Sequence, residues 1–323
     1  MHTTTIHFVD MHPAPSDLRA EALEGLQASP KYLHPKFFYD RAGSELFEQI
    51  TQTPEYYPTR TEIAVLEQRA AEIVARFGPN PLVIEFGSGA SRKIRILLDA
   101  LGGKPARYLA LDISRDQLID SAEALSDAYP NLDVWAVCAD YTQPITLPAE
   151  ALENAGRRVA FFPGSTIGNF SAAEAQRFLR STARMVGEGG AMLLGADLVK
   201  DTAVLNAAYN DEAGLTAEFN LNLLRRLNRE IGARFDLSTF RHKAFYDEAK
   251  GRIEMHLVSL IDQTVDVAGQ AIMFREGETI HTESSHKFTL EGVRQLAERC
   301  GFKPVDVWTD PSCYFSLHWL EAR

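Results

Sequence analysis

A pair of glycines between an apolar run and a helical pattern marks the first place in the chain where a ligand can approach the backbone. Residues 82–86 form a short, mostly apolar run that Gly87 and Gly89 interrupt. From Ser91 onward, apolar residues recur at the spacing of a helix. A turn without Cβ atoms exposes the backbone, and the helix N-terminus favours a negative or hydroxylated group. The pattern predicts a nucleotide or nucleoside site, although a tight structural turn would look the same.

Two aspartates that end the next two apolar runs narrow the choice of ligand. Asp112 stands where a carboxylate can accept both hydroxyl protons of a ribose, and Asp140 stands where one can accept from an adenine amino group. A helix cap is the alternative role for each. The G-x-G-x-x-G pattern of dinucleotide sites fails because Arg92 occupies its last position. S-adenosylmethionine has no pyrophosphate, and Lys93 can meet its carboxylate, so the residues favour it over NAD.

The elements that must position these residues alternate between strand and helix. Five strand–helix units in series predict an α/β fold with a doubly wound parallel sheet, into which residues 314–320 can insert antiparallel. The predicted strands are 82–86, 108–111, 132–138, 159–162, 191–195, 241–247, 252–263, 269–280, 304–308 and 314–320. The predicted helices are 17–28, 44–50, one opening at Thr61, 91–101, one capped by Ser114, 171–185 and 289–300, with residues 199–232 largely helical.

A break in the alternation after Asp197 predicts a second domain. Residues 199–286 read as helices followed by strands, and the N-terminal helices are expected to pack with them. The predicted boundaries are 14–60 and 199–286 for a smaller α+β substrate-binding domain. Residues 61–198 and 287–323 would form the cofactor-binding domain, and residues 1–13 a loose arm.

Composition limits the classes of partner. The formal net charge of −11 argues against a nucleic-acid backbone, which requires a surplus of Lys and Arg. The chain has no long apolar run and no signal-peptide pattern at its start, so no membrane is expected. Three scattered cysteines are typical of free thiols in a reducing compartment. We expect a cytoplasmic monomer that acts on a small molecule.

Motifs spread over nearly the whole chain resemble the L-histidine Nα-methyltransferase family of ergothioneine biosynthesis. They are Lys36-Phe-Phe-Tyr-Asp40, Glu55-Tyr-Tyr-Pro-Thr-Arg-Thr-Glu62, Glu85-Phe-Gly-Ser-Gly-Ala-Ser-Arg-Lys93, Gly164-Ser-Thr-Ile-Gly-Asn169, Asp197-Leu-Val-Lys-Asp201, Ala208-Tyr-Asn-Asp211, Arg252-Ile-Glu-Met255, Thr282-Glu-Ser-Ser285 and Trp308-Thr-Asp-Pro311. Because they keep the same order, the resemblance is more specific than any one motif.

The resemblance implies a Rossmann-like class I methyltransferase that trimethylates the α-amino group of L-histidine to hercynine with S-adenosylmethionine. The implied cofactor residues are Gly87, Lys93, Asp112, Asp140, Tyr141 and Gly164, with tyrosine at 141 where the family often has phenylalanine. The implied substrate residues are Phe47, Tyr56, Asn169, Tyr209, Met255, Glu283 and Ser285, with Tyr39 beside the amine. Of these, Tyr39 and Asn169 are the implied catalytic pair, and Asn169 and Tyr209 would hold the amino-acid end.

The residue chemistry agrees with an imidazole as the group recognised. Glu283 and Ser285 are two apart, so on a strand they point to the same face. A carboxylate and a hydroxyl there can accept from and donate to an imidazole, whereas an indole or phenol would leave the carboxylate poorly paired. His281 and His286 flank Glu283, but their spacing fits neither a strand face nor a helix turn, so no metal is predicted.

Three alternatives stay open at this point. The acceptor can be another aromatic amino acid, tryptophan or tyrosine, within the same class of enzyme. The chain can also be an NAD-dependent oxidoreductase, which the missing third glycine opposes. A non-catalytic S-adenosylmethionine-binding regulator is the third, and the substrate residues from Tyr39 to Ser285 argue against a silent site.

Overall fold

The chain folds into two compact units in a computed structural model that describes residues 6–11, 17–87 and 92–323. One unit comprises residues 1–14, 61–198 and 288–323, and the other comprises residues 15–60 and 199–287. We call them the large-sheet unit and the small-sheet unit. Residues 88–91, which carry the second glycine of the predicted turn and the predicted helix start, lie outside the described residues.

The elements are numbered in chain order. The strands are β1 (His7–Asp10), β2 (Lys31–Tyr32), β3 (Leu82–Phe86), β4 (Ala106–Asp112), β5 (Leu132–Cys138), β6 (Arg158–Phe162), β7 (Ala191–Asp197), β8 (Phe240–Asp247), β9 (Arg252–Ser259), β10 (Gln263–Val267), β11 (Gln270–Phe274), β12 (Thr279–His286), β13 (Phe302–Thr309) and β14 (Phe315–Ala322). The helices are α1 (Leu18–Gln27), α2 (Arg41–Ile50), α3 (Tyr57–Ala75), α4 (Arg92–Leu101), α5 (Arg115–Ala128), α6 (Ala149–Leu152), α7 (Ala172–Val186), α8 (Thr202–Ala207), α9 (Leu215–Ile231) and α10 (Leu290–Arg299). Short 3-10 helices cover Pro35–Phe38, Thr166–Asn169 and Leu237–Thr239.

The large-sheet unit is built on one eight-stranded sheet in the order β1-β5-β4-β3-β6-β7-β14-β13. The strands from β1 to β7 in this order run parallel, and β14 lies antiparallel between β7 and β13, as the sequence predicts. All five residues of β3 are buried. This burial explains the continuous apolar run, because a central parallel strand is covered on both faces. The order reverses at β3, so the ends of β3 and β6 flank the crevice where open α/β sheets bind ligands.

Two hydrophobic clusters hold helices against this sheet. One contains Leu66 and Ile73 of α3 with Leu97 and Leu98 of α4, and the other contains Phe178 of α7. Helix α7 begins with a complete capping box, in which the Ser171 side chain accepts from the Glu174 N–H and the Glu174 carboxylate accepts from the Ser171 N–H.

The small-sheet unit contains a four-stranded sheet in the order β2-β12-β9-β8 and a hairpin of β10 and β11. Strand β12 is antiparallel to β9, with Glu283 opposite Met255 and Ser285 opposite Ile253. A register shift between His281 and Glu283 places these two residues, which are two apart on β12, opposite the consecutive residues His256 and Met255 of β9.

Several predicted boundaries were wrong. Residues 7–10 are not a loose arm, because they pair in parallel with β5 as an edge strand. Helix α3 begins at Tyr57 and not at Thr61, since Pro58 is tolerated in a first turn whose N–H groups have no intrahelical partner. Ser114 precedes α5, but its side chain makes no capping hydrogen bond. The strand predicted over 252–263 is too long, because β9 ends at Ser259 and β10 begins only at Gln263.

The long strand predicted over 269–280 is likewise divided. It comprises β11 and the start of β12, and Gly277 lies between them with a φ of 82°, which breaks the extended backbone. No helix among the described residues has both the length and the apolar composition needed to cross a bilayer.

Candidate active site

The four strand ends that the sequence singles out are neighbours in the large-sheet unit. The Gly87 N–H donates to the Leu111 carbonyl oxygen at 2.8 Å, and the Ala139 N–H donates to the Asp112 carbonyl oxygen at 3.0 Å. Strand β3 also pairs with β6, which leads to Gly164. Four of the residues predicted to bind the cofactor, Gly87, Asp112, Asp140 and Gly164, therefore lie at or just after the ends of adjacent strands.

Gly87 is exposed and has a φ of 70°, a backbone conformation that favours glycine. A Cβ atom built there would lie 3.7 Å from the Tyr141 hydroxyl oxygen, so these two residues adjoin each other. The Tyr141 ring packs edge-on against Phe86, Phe162 and Phe178. Burial raises the pKa of Tyr141, which therefore stays neutral and contributes a ring and a hydroxyl group to this edge.

Asp112 and Asp140 each accept a hydrogen bond from the backbone two residues ahead. Asp112 Oδ1 accepts from the Ser114 N–H at 2.9 Å, and Asp140 Oδ1 accepts from the Thr142 N–H at 2.9 Å. These local bonds fix each carboxylate at its strand end. Each aspartate thus uses one carboxylate oxygen in a local hydrogen bond of the kind that a helix cap makes.

Lys93 has a partner that its position in the sequence does not reveal. Lys93 Nζ lies 2.5 Å from Glu62 Oε2, and the side chain of Glu62 is fully buried. Both Glu62 oxygens accept from the Gly164 N–H at 2.9 Å. Gly195 leaves the space for this carboxylate, because a Cβ there would lie 2.6 Å from Glu62 Oε1. Glu62 thus ties together two predicted cofactor residues, Lys93 and Gly164.

A second buried acid precedes the glycine turn. Glu85 lies within β3 and is 2% exposed, and the Tyr108 hydroxyl donates to Glu85 Oε2 at 2.5 Å. Burial raises the pKa of Glu85 to about 8, against the hydrogen bond from Tyr108 and the positive charge of Lys93. Glu85 is therefore harder to ionise than an exposed carboxyl group, and the direct partner of Lys93 is Glu62.

In the small-sheet unit, the predicted aromatic residues form one connected group. The ring centroids of Tyr39 and Phe47 are 5.9 Å apart, those of Phe47 and Tyr56 are 6.0 Å apart, and those of Tyr56 and Tyr209 are 6.4 Å apart. Phe219 of α9 contacts the Tyr39 ring at 5.9 Å. Because 42% of Tyr39 is exposed, this group is not simply an interior cluster.

Asp40 anchors the residue next to Tyr39. Its carboxylate accepts from the Gly43 N–H at 2.7 Å, from Asn222 at 2.8 Å and from Arg229 at 2.6 Å. Burial opposes ionisation, but these hydrogen bonds outweigh it and lower the pKa of Asp40. The chain entering α2 is therefore fixed where the Tyr39 ring projects.

The last member of the aromatic group reaches β12 through hydrogen bonds. The Tyr209 hydroxyl donates to Ser285 Oγ at 2.9 Å, and Lys287 Nζ donates to Ser285 Oγ at 2.9 Å. Glu283 and Ser285 are 8% and 5% exposed, so neither is the surface residue of an edge strand. Burial raises the pKa of Glu283 to about 7, and the Lys287 charge acts in the opposite direction.

Met255 and Asn169 complete the predicted set. Met255 is 1% exposed and faces Glu283 across the β9–β12 pair. Asn169 ends the 3-10 helix that follows β6 and is half-buried. Asn169 belongs to the large-sheet unit, whereas the other predicted substrate residues belong to the small-sheet unit.

The residues that sequence reasoning missed carry a recognisable signal. Glu85 interrupts an apolar strand, and Glu62 shares a helix face with Leu66 and Ile73, which are both fully buried. An acidic residue within an apolar pattern indicates a buried pair. Lys287 follows directly on β12, and its position alone gives no comparable signal.

The face of the four-stranded sheet opposite to Glu283 and Met255 carries the one group of possible metal ligands found among residues 6–11, 17–87 and 92–323. It consists of Glu254, His256 and His281, whose ligand atoms all lie within 4.8 Å of one another. Glu254 is already paired with Lys250 Nζ at 2.8 Å and Arg252 at 2.6 Å. These two cations compete with any metal ion for the carboxylate, so we interpret the group as an ion-pair network.

This network predicts acid sensitivity of the fold. Burial alone would raise the pKa of Glu254, but the bonds from Lys250, Arg252 and His256 lower it to about 2. A carboxyl group whose pKa is lower in the folded chain than in the unfolded chain stabilises the fold at pH values above its unfolded pKa. This contribution is lost as pH falls from about 5 toward 2. We expect about 2 kcal/mol, allowing for the half-exposed Lys250. The free energy of unfolding, measured with denaturant at a series of pH values, should fall over this range in the wild type and fall less in Glu254→Gln. An equal fall in both proteins would contradict the prediction.

Comparison with known proteins agrees with this arrangement of residues. A family model described as a histidine-specific, S-adenosylmethionine-dependent methyltransferase matches residues 18–322. The chain belongs to this family. The protein is therefore a methyltransferase with S-adenosylmethionine as its cofactor, and its sheet is that of the class I enzymes, as predicted. The NAD-dependent alternative was wrong.

Individual relatives of this family cover most of the chain. Histidine N-alpha-methyltransferase of Mycolicibacterium smegmatis is 41% identical over 321 residues, which cover 98% of each chain. Ergothioneine biosynthesis protein 1 of Neurospora crassa is 33% identical over 297 residues, which cover 90% of this chain and 33% of that protein. 4-Dimethylallyltryptophan N-methyltransferase of Aspergillus fumigatus is 26% identical over 323 residues, covering 95% of this chain and 94% of that protein.

Proposed function

We propose that this enzyme transfers three methyl groups in succession to the α-amino group of L-histidine, giving hercynine in the first step of ergothioneine biosynthesis. The observation that carries the proposal is the buried pair Glu283 and Ser285 on one face of β12, beside the Tyr209 hydroxyl. A relative named for this activity matches the chain over 98% of its length. A methyltransferase for tryptophan or tyrosine is the second candidate, because a more distant relative is named for a tryptophan derivative.

The residues at the edge of the large sheet fit the cofactor. We propose that Gly87, Lys93, Asp112, Asp140, Tyr141 and Gly164 hold S-adenosylmethionine. The exposed Gly87 leaves its backbone open, and the two carboxylates suit ribose hydroxyls and an amino group. The bound cofactor supplies an already activated methyl group on a sulfonium. Because Lys93 is paired with Glu62, it meets the cofactor carboxylate as a shared cation and not as a free one.

The small-sheet unit and Asn169 supply the acceptor side of the proposal. Glu283 and Ser285 bind the imidazole, Met255 gives apolar contact, and Asn169 and Tyr209 hold the amino-acid end. The enzyme mainly orients the amine for an in-line displacement, since the donor needs no further activation. The amine must first lose its proton, and Tyr39 orients it or relays that proton through water.

Successive methylation changes what the site must accommodate. Each methyl group removes an N–H donor, and the last transfer leaves a fixed positive charge. The rings of Tyr39, Phe47 and Tyr56 can attract that charge by cation–π interaction, which contributes about 1 kcal/mol. Ring contacts join these three side chains into one group, of which Tyr39 is exposed. The cytoplasmic location and monomeric state expected from the sequence stay predictions.

Mass spectrometry of the products tests the substrate. Purified enzyme with S-adenosylmethionine and L-histidine should give a product heavier by three methyl groups. A panel of the twenty amino acids under the same conditions provides the control. Turnover of tryptophan or tyrosine without turnover of histidine would leave the class of enzyme intact and overturn the proposed substrate.

A further inference from the structure

A buried ammonium group lies among the residues proposed to read the imidazole. Lys287 is 7% exposed and follows directly on β12. Its Nζ donates to Ser285 Oγ at 2.9 Å and to the Tyr209 hydroxyl at 3.1 Å. It also lies 4.9 Å from the centroid of the Tyr209 ring. A lysine this deeply buried requires such partners, because desolvation of an ammonium is costly.

The Lys287 ammonium determines whether the Ser285 hydroxyl can donate or accept a hydrogen bond toward the substrate. A serine hydroxyl has two acceptor lone pairs and one proton. Ser285 Oγ accepts from Lys287 and from the Tyr209 hydroxyl, which donates at 2.9 Å. A phenol is also the better donor of the two hydroxyls, because its pKa is far lower than that of an alcohol. Both acceptor positions of Ser285 are occupied, so its proton is left for a third partner.

Glu283 supplies the complementary group. It lies two residues earlier on β12, and no side chain in the described part of the chain donates to its carboxylate. Burial raises the pKa of Glu283 to about 7, and the nearby Lys287 charge acts against that rise. Above that pH the carboxylate is ionised and only accepts hydrogen bonds. Ser285 and Glu283 therefore present one donor and one acceptor.

We propose that Lys287 is a positioning residue that makes the site select the neutral imidazole of histidine in a single tautomer. The ring nitrogen facing Ser285 must carry a lone pair, and the other must carry a proton for Glu283. An imidazolium has no lone pair to offer and adds a second positive charge near the ammonium. The inference rests on the proposed function, since it assumes that histidine occupies this face.

Two other titratable groups of β8 lie close by, and neither changes charge near neutral pH. His242 Nε2 lies 2.9 Å from the Tyr209 carbonyl oxygen, and burial lowers the pKa of this histidine. Burial raises the pKa of Tyr246, although the Lys287 charge acts against that rise. Two ionisations are therefore expected to govern how histidine binding depends on pH: that of Glu283, whose pKa burial raises to about 7, and that of the substrate imidazole, whose ordinary pKa is about 6.5.

Nitrogen-15 NMR of labelled L-histidine bound to the wild-type enzyme with S-adenosylhomocysteine tests the tautomer directly. We expect one protonated and one unprotonated ring nitrogen throughout the range where histidine binds. An imidazolium spectrum, or fast exchange between tautomers, would overturn the inference even where histidine is methylated. Failure of histidine to bind or to be methylated would instead overturn the proposed function.

Substitution of Lys287 tests its role separately. Lys287→Met should raise KM for histidine about tenfold, with a smaller effect on kcat, because Ser285 is then free to accept as well as donate. The fall of KM with rising pH should move to higher pH, since Glu283 loses the charge that favours its ionised form. Lys287→Arg should restore the pH profile.

Lys243→Met is the matched control, because Lys243 is exposed on β8 of the same sheet. It should leave both KM and its pH profile unchanged. A wild-type KM and pH profile in Lys287→Met would contradict the proposed role. If Lys287→Met does not fold, as a thermal melt would show, the other two measurements decide. A bound imidazolium in the wild type would overturn the role, and a single tautomer with an unshifted pH profile in Lys287→Arg would support it.

Discussion

Replacing Glu283 by alanine is expected to lower kcat/KM for histidine about 100-fold, because the imidazole N–H loses a buried, ionised acceptor. Glu283 is 8% exposed and lies opposite Met255, so water does not readily replace its carboxylate. The loss should fall mainly on KM, since the proposed role of this group is to bind the ring and not to act on the amine. Steady-state kinetics with histidine as the varied substrate measure both parameters.

The same change should raise kcat/KM for tryptophan relative to that for histidine. In the wild type, an indole leaves the buried carboxylate poorly paired, which costs affinity. Alanine removes that penalty and enlarges the space beside Met255. The kcat/KM for histidine, divided by that for tryptophan, should therefore fall by a larger factor than kcat/KM for histidine does by itself.

Glu283→Gln distinguishes charge from shape. Its amide oxygen can still accept from the imidazole N–H, so kcat/KM for histidine should fall less than with alanine. The part of the pH dependence that comes from Glu283 should disappear, and the part that comes from the substrate imidazole should stay. Ser284→Ala provides a control on the same strand, since Ser284 pairs with His281 on the other face. Unchanged histidine kinetics in Glu283→Ala would show that its imidazole role is wrong.

The large sheet could be predicted because each strand–helix unit carries its own signal. The run at 132–138 coincides with β5, and the run at 82–86 coincides with β3. β1 escaped prediction because four edge residues, of which only Phe8 and Val9 are apolar, give no period. The strands on either side of residue 277 look like one strand in the sequence, because a single glycine turn is a weak interruption in a long β-like stretch.

The predicted site residues came from local positions and from the family resemblance, and the missing ones depend on contacts distant in sequence. Glu62 and Gly164 are 102 residues apart, and Tyr209 and Lys287 are 78 apart. No spacing rule connects residues at such separations. Their buried charges are interpretable only once the partner is known, because an isolated buried charge is unfavourable.

Glu62→Ala should have the largest effect on the fold and on the cofactor site together. It leaves the Lys93 ammonium, 18% exposed, without its partner at 2.5 Å, and removes the acceptor of the Gly164 N–H. Breaking a buried pair in this way costs about 3 kcal/mol of unfolding free energy. Affinity for S-adenosylmethionine should fall at least about tenfold, because Lys93 and the Gly164 backbone are both released. Denaturant unfolding and calorimetric titration measure the two quantities.

A double variant separates these effects. In Glu62→Ala with Lys93→Met no unpaired charge remains, so most of the lost stability should return, as is common when both members of a buried pair are replaced by apolar side chains. Cofactor affinity should not return with it, since Lys93 and the anchor of Gly164 are both still missing. Recovery of stability without recovery of binding would place Glu62 in the cofactor site as well as in the core. Wild-type affinity in Glu62→Ala would show instead that the carboxylate serves the fold alone.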